Sequence, residues 1–235
     1  MRLAAACLIL GAAFSLPADA AVVGKAAVAT DWTRVVAKTT AGGYRMGNAN
    51  AKVTLVEYGS MTCPHCRLFD DEGGDALIRN YVKTGKVSYE FRNYVRDPYD
   101  LGAALIARCN GARSFFSLTR ALFKDQAKWV EKAQSAPPDR LAAMKDLPTN
   151  RLFFEAAKLA GLPQWAAARG VPAARSGQCL TNEKEIDRLV AMNKAATDQY
   201  PDFPGTPTFI LNGKMLEQAG TWDTLEPKLR AELGG

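Results

Sequence analysis

Histidine is nearly absent from this 235-residue sequence: His65 is the only one. With no histidine pair and no second Cys-x-x-Cys, the two further ligands of a tetrahedral zinc site around Cys63 and Cys66 are missing. Haem attachment is excluded too, because it needs a histidine directly after the second cysteine, where Arg67 stands. Beyond residue 16 no apolar run reaches the roughly 20 residues that span a bilayer. Basic residues outnumber acidic ones, 30 to 24. They are scattered, as at Arg67, Arg79, Lys83, Lys86, Arg92, Arg96, Arg108 and Arg113, and no run resembles a nucleic-acid arm. A solvated basic surface accounts for the net charge of +6. Internal repeats and low-complexity segments are absent as well.

What is present begins at the N-terminus. Arg2 precedes an apolar run from Leu3 to Leu16, which Pro17 ends. Ala18-Asp19-Ala20 then supplies the small-x-small pattern of a signal-peptidase site, with cleavage expected between Ala20 and Ala21. Residues 1–20 are thus read as a signal peptide rather than a membrane anchor. Cys7 lies too near the start to follow a full apolar region, as a lipoprotein cysteine would. The mature chain, about 215 residues, suffices for one large domain or a domain carrying an insertion, and is expected to be soluble.

Five cysteines occur, and Cys7 leaves with the signal. Cys63, Cys66, Cys109 and Cys179 remain. An even number in an exported chain suggests pairing, with three possible connectivities. Cys63 and Cys66 form the natural local pair, which leaves Cys109 with Cys179. A bond there would close a loop of about 70 residues and stabilise by very roughly 4 kcal/mol in the chain-entropy model. A structural role is expected for it; a second redox relay is the sharper alternative.

Periodicity predicts the elements. Residues 21–31 read as a lead and 32–38 as an edge strand. Val53 to Tyr58 is β-rich and nearly all apolar, as in a buried strand. A helix is expected from about Cys63, with Pro64 in its first turn, broken at Gly73-Gly74 and stopped by Gly85. Val87 to Phe91 reads as the next strand, parallel to the first. From Asp97-Pro98 onward about a hundred residues are helical, the first helix capped by Asp100. Asn182 with Glu185 is a capping-box-like start. Thr208 to Leu211, the turn Asn212-Gly213 and Lys214 to Glu217 predict a hairpin. Thr221 caps a last helix. The aromatic pairs Phe115-Phe116 and Phe153-Phe154 are expected in the core.

The chemistry sits at Cys63-Pro64-His65-Cys66. Two thiols separated by two residues can close a small disulfide ring. At a helix N-terminus, unpaired N–H groups and a partial positive charge stabilise a thiolate, so the Cys63 thiol should be acidic. Cys63 is the expected nucleophile and Cys66 the resolving thiol, buried one turn in. His65 offers a donor or, when protonated, a positive charge to the thiolate. A couple whose reduced form is stabilised is an oxidant.

The segment Val53-Thr-Leu-Val-Glu-Tyr-Gly-Ser-Met-Thr-Cys-Pro-His-Cys66 resembles the DsbA family of bacterial periplasmic disulfide oxidases, whose active-site motif is Cys-Pro-His-Cys. A second signature, Gly205-Thr206-Pro207-Thr208-Phe209, resembles the loop that faces the dithiol in thioredoxin-like proteins. By itself, a proline there only marks a strand start. The resemblance implies a cis Pro207, with Thr206 bonding to substrate backbone. Asp97 to Gly111 also looks like the family's first insertion helix. Some members carry a second disulfide in that insertion and others lack it. Glu57, six residues before Cys63, matches the family's buried acid beneath the dithiol, a proton acceptor for Cys66. The alternative is a carboxylate facing solvent at a strand edge.

The expected fold is α/β and thioredoxin-like: a central mixed β-sheet flanked by helices, with an inserted all-helical domain. Its parts are a lead with a possible edge strand (21–46), the thioredoxin-like domain (47–98 and 200–235) and the helical insertion (99–199). The expected activity is oxidation of reduced exported proteins in the periplasm, by a monomer, with no cofactor, metal or nucleic acid. A DsbB-like membrane quinone reductase is the implied reoxidant. A periplasmic reductase or isomerase is the first alternative. Such isomerases usually carry an N-terminal dimerisation domain, for which the roughly 42 residues between the cleavage site and Cys63 are too few. A soft-metal-binding or chaperone-like module is the second alternative.

Overall fold

The computed structural model describes residues 30–235. The signal peptide expected over 1–20 and most of the lead after it lie outside the described residues. A 3-10 turn at Trp32–Arg34 precedes strand β1 (Val36–Lys38), the expected edge strand in shortened form. β2 (Tyr44–Met46) follows within the stretch read as lead. Next come β3 (Val53–Gly59), α1 (Pro64–Phe69) and β4 (Val87–Asn93). The sheet is completed by β5 (Thr208–Leu211) and β6 (Lys214–Met215), and α10 is Trp222–Leu233. Between β4 and β5 lie α2 (Pro98–Arg108), α3 (Ala112–Lys124), α4 (Gln126–Gln134), α5 (Pro138–Ala142), α6 (Thr149–Leu159), α7 (Leu162–Ala167), α8 (Ala173–Leu180) and α9 (Glu183–Gln199). The fold is thioredoxin-like: a mixed sheet with helices and an inserted helical region.

The strand order is β1-β2-β4-β3-β5-β6. β3 and β4 run parallel, joined by α1, and the other neighbours are antiparallel. β3 is therefore central, which explains its nearly unbroken apolar run. Side chains alternate along it. Leu55 and Glu57 turn toward the main core with Phe91 and Phe209, while Tyr58 turns to a smaller cluster with Ile210 and Ala196. Phe69 packs on Phe209 with ring centroids 4.6 Å apart, fastening α1 to the sheet. Phe115 and Phe116 are buried, and Phe115 stacks on Tyr44 at 4.2 Å.

Two helical expectations change. Gly73-Gly74 does not break the first helix; it continues through π-type turns at Asp70–Gly74 and Leu77–Val82. A Cβ on Gly73 would stand 2.6 Å from Trp222, so glycine here serves close packing against α10. The cap of α2 is Asp97, not Asp100: the Asp97 side chain accepts from the N–H groups of Tyr99 and Asp100. Asp100 is turned inward instead and is fully buried. At the other end of the chain, Asn212 and Gly213 both take positive φ, 49° and 84°, as the tight hairpin turn demands.

Candidate active site

The end of β3 delivers the chain to α1 through the link Ser60–Cys63. Cys63 is the N-cap of α1 and Pro64 opens its first turn. Both Cys63 and Cys66 are free thiols, 1% and 0% exposed. The Thr206–Pro207 peptide bond is cis. It brings the Thr206 carbonyl against the dithiol, where Cys63 Sγ donates to it at 3.1 Å. Two motifs 143 residues apart thus meet at one sulfur.

The two thiols are pulled in opposite directions. The Cys63 thiol is held down at about 5. The hydrogen bond from the Cys66 thiol is the largest cause; burial opposes it, and the Thr206 hydroxyl and the backbone N–H groups of Cys66 and His65 add to it. That hydroxyl is buried with no hydrogen-bond partner among the described residues, so its effect on Cys63 is that of a nearby dipole and not of a formed bond. The helix amides expected to govern the acidity therefore act behind the neighbouring sulfur. Burial pushes the Cys66 thiol well above its ordinary value, and the bond to Cys63 and the Glu57 charge push the same way. Only the Ser60 N–H, 3.5 Å from Cys66 Sγ, works against this. The His65 ring is exposed and makes no hydrogen bond among the described residues; its backbone N–H is what acts on Cys63.

Glu57 is 2% exposed, on the central strand and on the core face, not at a solvent edge. Burial raises its pKa to about 8. Its carboxyl accepts from Tyr89 Oη at 2.6 Å, with no direct bond to either sulfur. Tyr89 lies on β4 and is itself buried. The sequence reading missed it, since a tyrosine in an apolar strand reads as packing. Asp70, at the C-terminal end of α1 and lining the same cavity as Glu57 and Tyr89, is raised to about 6 by burial and partly restored by Arg120, which donates to it at 3.0 Å.

Asp100 and Gln126 also reach the link and were not singled out as site residues. Asp100 accepts from the Met61 N–H and the Ser60 hydroxyl. Gln126 donates to the carbonyls of Met61 and Cys63. Cys109 and Cys179 lie apart from this site and are bonded to each other, with Cα atoms 5.5 Å apart. Among the described residues no group of three or more His, Cys, Asp or Glu stands ready to hold a metal ion. No described helix is long and apolar enough to cross a membrane.

A family model described as Thioredoxin matches residues 39–230. Among curated proteins the chain is 29% identical over 187 residues to a candidate protein-disulfide oxidoreductase of Rickettsia typhi, covering 79% of this chain and 60% of that protein. A counterpart in Rickettsia felis is 30% identical over 169 residues, 72% of this chain and 52% of the other. The chain thus spans about 60% or less of the length of these relatives. Among solved structures, a protein-disulfide isomerase from Novosphingobium aromaticivorans is 33% identical, with a TM-score of 0.77 over 81% of this chain and 97% of that one. Wolbachia pipientis alpha-DsbA1 is 20% identical, with a TM-score of 0.65 over 82% and 91%. That second likeness is one of fold.

Proposed function

The chain belongs to the thioredoxin family, as a DsbA-like member, and from that premise we propose that it is an exported thiol–disulfide oxidoreductase that donates its Cys63–Cys66 disulfide to client proteins. One observation carries the reading: the opposed acidities of the two thiols. Reduction leaves Cys63 as a stable thiolate, with its thiol at about 5. A couple whose reduced form is stabilised gives up its disulfide readily.

The reaction runs in two thiol–disulfide exchanges. A client thiolate attacks Cys63 Sγ of the oxidised enzyme and breaks the Cys63–Cys66 bond. The electron pair leaves on Cys66, whose buried thiolate needs a proton. Glu57, with a pKa of about 8, is mostly protonated at neutral pH and, having no direct bond to Cys66, supplies it through an intervening water. The client strand lies against Thr206-Pro207. A second client thiolate then attacks the client sulfur of the mixed disulfide and releases Cys63 as an anion, the better leaving group of the two. Two electrons pass from the client dithiol to the enzyme. A membrane quinone reductase of the DsbB type takes them on. The signal peptide over 1–20 sends the chain to the periplasm, where it acts as a monomer. Cys109–Cys179 is a structural bond in this scheme.

The test is a redox titration against glutathione with client oxidation in parallel. A strongly oxidising couple is expected. Cys63→Ser should abolish thiol oxidation, and Cys66→Ser should trap mixed disulfides. A strongly reducing couple, or full activity in the Cys63→Ser protein, defeats the oxidase reading. A second reading, disulfide isomerase, is favoured by one observation: the Novosphingobium protein at 33% identity is described as one. Faster refolding of a client with scrambled disulfides than of the same client fully reduced would select it.

A further inference from the structure

The link Ser60–Cys63 carries the nucleophile and is almost wholly out of solvent: Ser60 and Met61 are 0% exposed and Cys63 1%. Buried backbone groups need partners. Two residues of the helical region supply them. Asp100 takes the donors: the Met61 N–H at 2.7 Å and the Ser60 hydroxyl at 2.6 Å. Gln126 gives to the acceptors: its Nε2 donates to the Met61 carbonyl at 2.8 Å and the Cys63 carbonyl at 2.9 Å. Both side chains are buried, Asp100 fully and Gln126 to 5% exposure. They come from 39 to 65 residues downstream of the groups they hold.

Neither arrangement is explained by packing alone. The only further contact on the Asp100 carboxylate is the Arg96 N–H at 3.0 Å, and no cationic side chain pairs with it among the described residues. An isolated buried carboxylate is costly. Gln126 Nε2 spends both of its hydrogens on the link. The same link aims two sulfur contacts: Cys63 Sγ onto the Thr206 carbonyl, and the Ser60 N–H onto Cys66 Sγ. A small rotation of Ser60–Cys63 would shift both.

We propose that Asp100 and Gln126 are the positioning residues of the dithiol: the helical insertion grips the donors and acceptors of Ser60–Cys63 and so sets how Cys63 Sγ meets Thr206 and the first amides of α1. This rests on Cys63 being the nucleophile of the proposed reaction. It makes the acidity of Cys63 a property of two side chains on α2 and α4, not of the Cys-x-x-Cys motif alone.

The test is the rate of Cys63 alkylation by iodoacetamide against pH in the reduced full-length protein. Wild type should inflect near pH 5. Gln126→Leu keeps the volume and removes the donors. Its inflection should rise by about one unit, so the rate at pH 4, below both inflections, falls nearly tenfold. Asp100→Asn keeps one acceptor and should lose about threefold, half a unit on the same scale; it also carries the test if Gln126→Leu fails to fold. Leu180→Ala, a buried change in the same helical region, should lower Tm and leave the profile in place. Profiles of Gln126→Leu and Asp100→Asn that overlay a low wild-type inflection overturn this inference alone. An equal shift in Leu180→Ala overturns it too, because acidity would then follow stability. A wild-type inflection near the free-cysteine value of about 8.5 defeats the oxidase reading and this inference with it.

Discussion

The acidity of Cys63 has a consequence for folding that denaturant titration reads directly. In the folded, reduced protein the thiol ionises at about 5; in the unfolded chain it returns to about 8.5. Between those values the folded state binds fewer protons than the unfolded one. The resulting stabilisation is fully present above about pH 8.5 and is lost as the pH falls through about 5. One pH unit in this window corresponds to about 1.4 kcal/mol. At pH 7, two units above the folded value, the sum is about 3 kcal/mol, and solvent screening at the mouth of the site brings it to about 2 kcal/mol. Cys63→Ser removes the titrating group with little change of volume. Urea unfolding of the reduced wild type and the reduced variant, from pH 5 to pH 8, yields two stability curves. The buried acids Glu57, Asp70 and Asp100 titrate in both proteins and largely cancel in the difference. The wild type should gain on the variant by roughly 1 kcal/mol per pH unit across the window, after the same screening. Parallel curves refute the reasoning, and so do curves that converge as the pH rises.

Burial raises Glu57 to about 8 from an ordinary 4.5. A raised carboxyl contributes stability below its unfolded value and loses it as the pH rises through the folded one. Glu57→Gln cannot ionise, so its thermal stability should exceed that of the wild type by a margin that opens between pH 4.5 and 8; a constant margin contradicts the buried acid. Tyr89→Phe deletes the donor that favours the Glu57 carboxylate. Difference infrared spectroscopy should then find the protonated Glu57 carboxyl persisting to higher pH than in wild type, and an unmoved transition would count against the contact. Cys109→Ser with Cys179→Ser reopens a span of 70 residues. Urea unfolding should register a loss of about 4 kcal/mol while Cys63 alkylation stays at the wild-type rate.

The parts of this protein that depend on near neighbours are readable from the chain alone. The apolar run Val53 to Tyr58 and the Asn212-Gly213 turn depend on residues a few positions apart, and the structure has strands and a tight turn there. The thiols two positions apart are likewise a local fact. The cis bond before Pro207 entered through a family resemblance rather than through the residues themselves. β2 went unseen because three residues are too few to establish a period. Its partners, β1 and β4, come from both sides of it in sequence.

What tertiary structure decided is which polar side chains go inward. Asp97, directly before Pro98, takes the cap of α2, while the fold turns Asp100 in the first turn to Met61 and Ser60. Gln126 opens an exposed-looking helix, and nothing near it in the chain announces the carbonyls 63 and 65 residues earlier. Tyr89 meets Glu57 only because β3 and β4 pair in parallel. Short-range geometry is written in spacing, since few torsions separate the groups involved. A buried hydrogen bond across forty or more residues exists only once the chain has closed on itself and water has been removed from both partners.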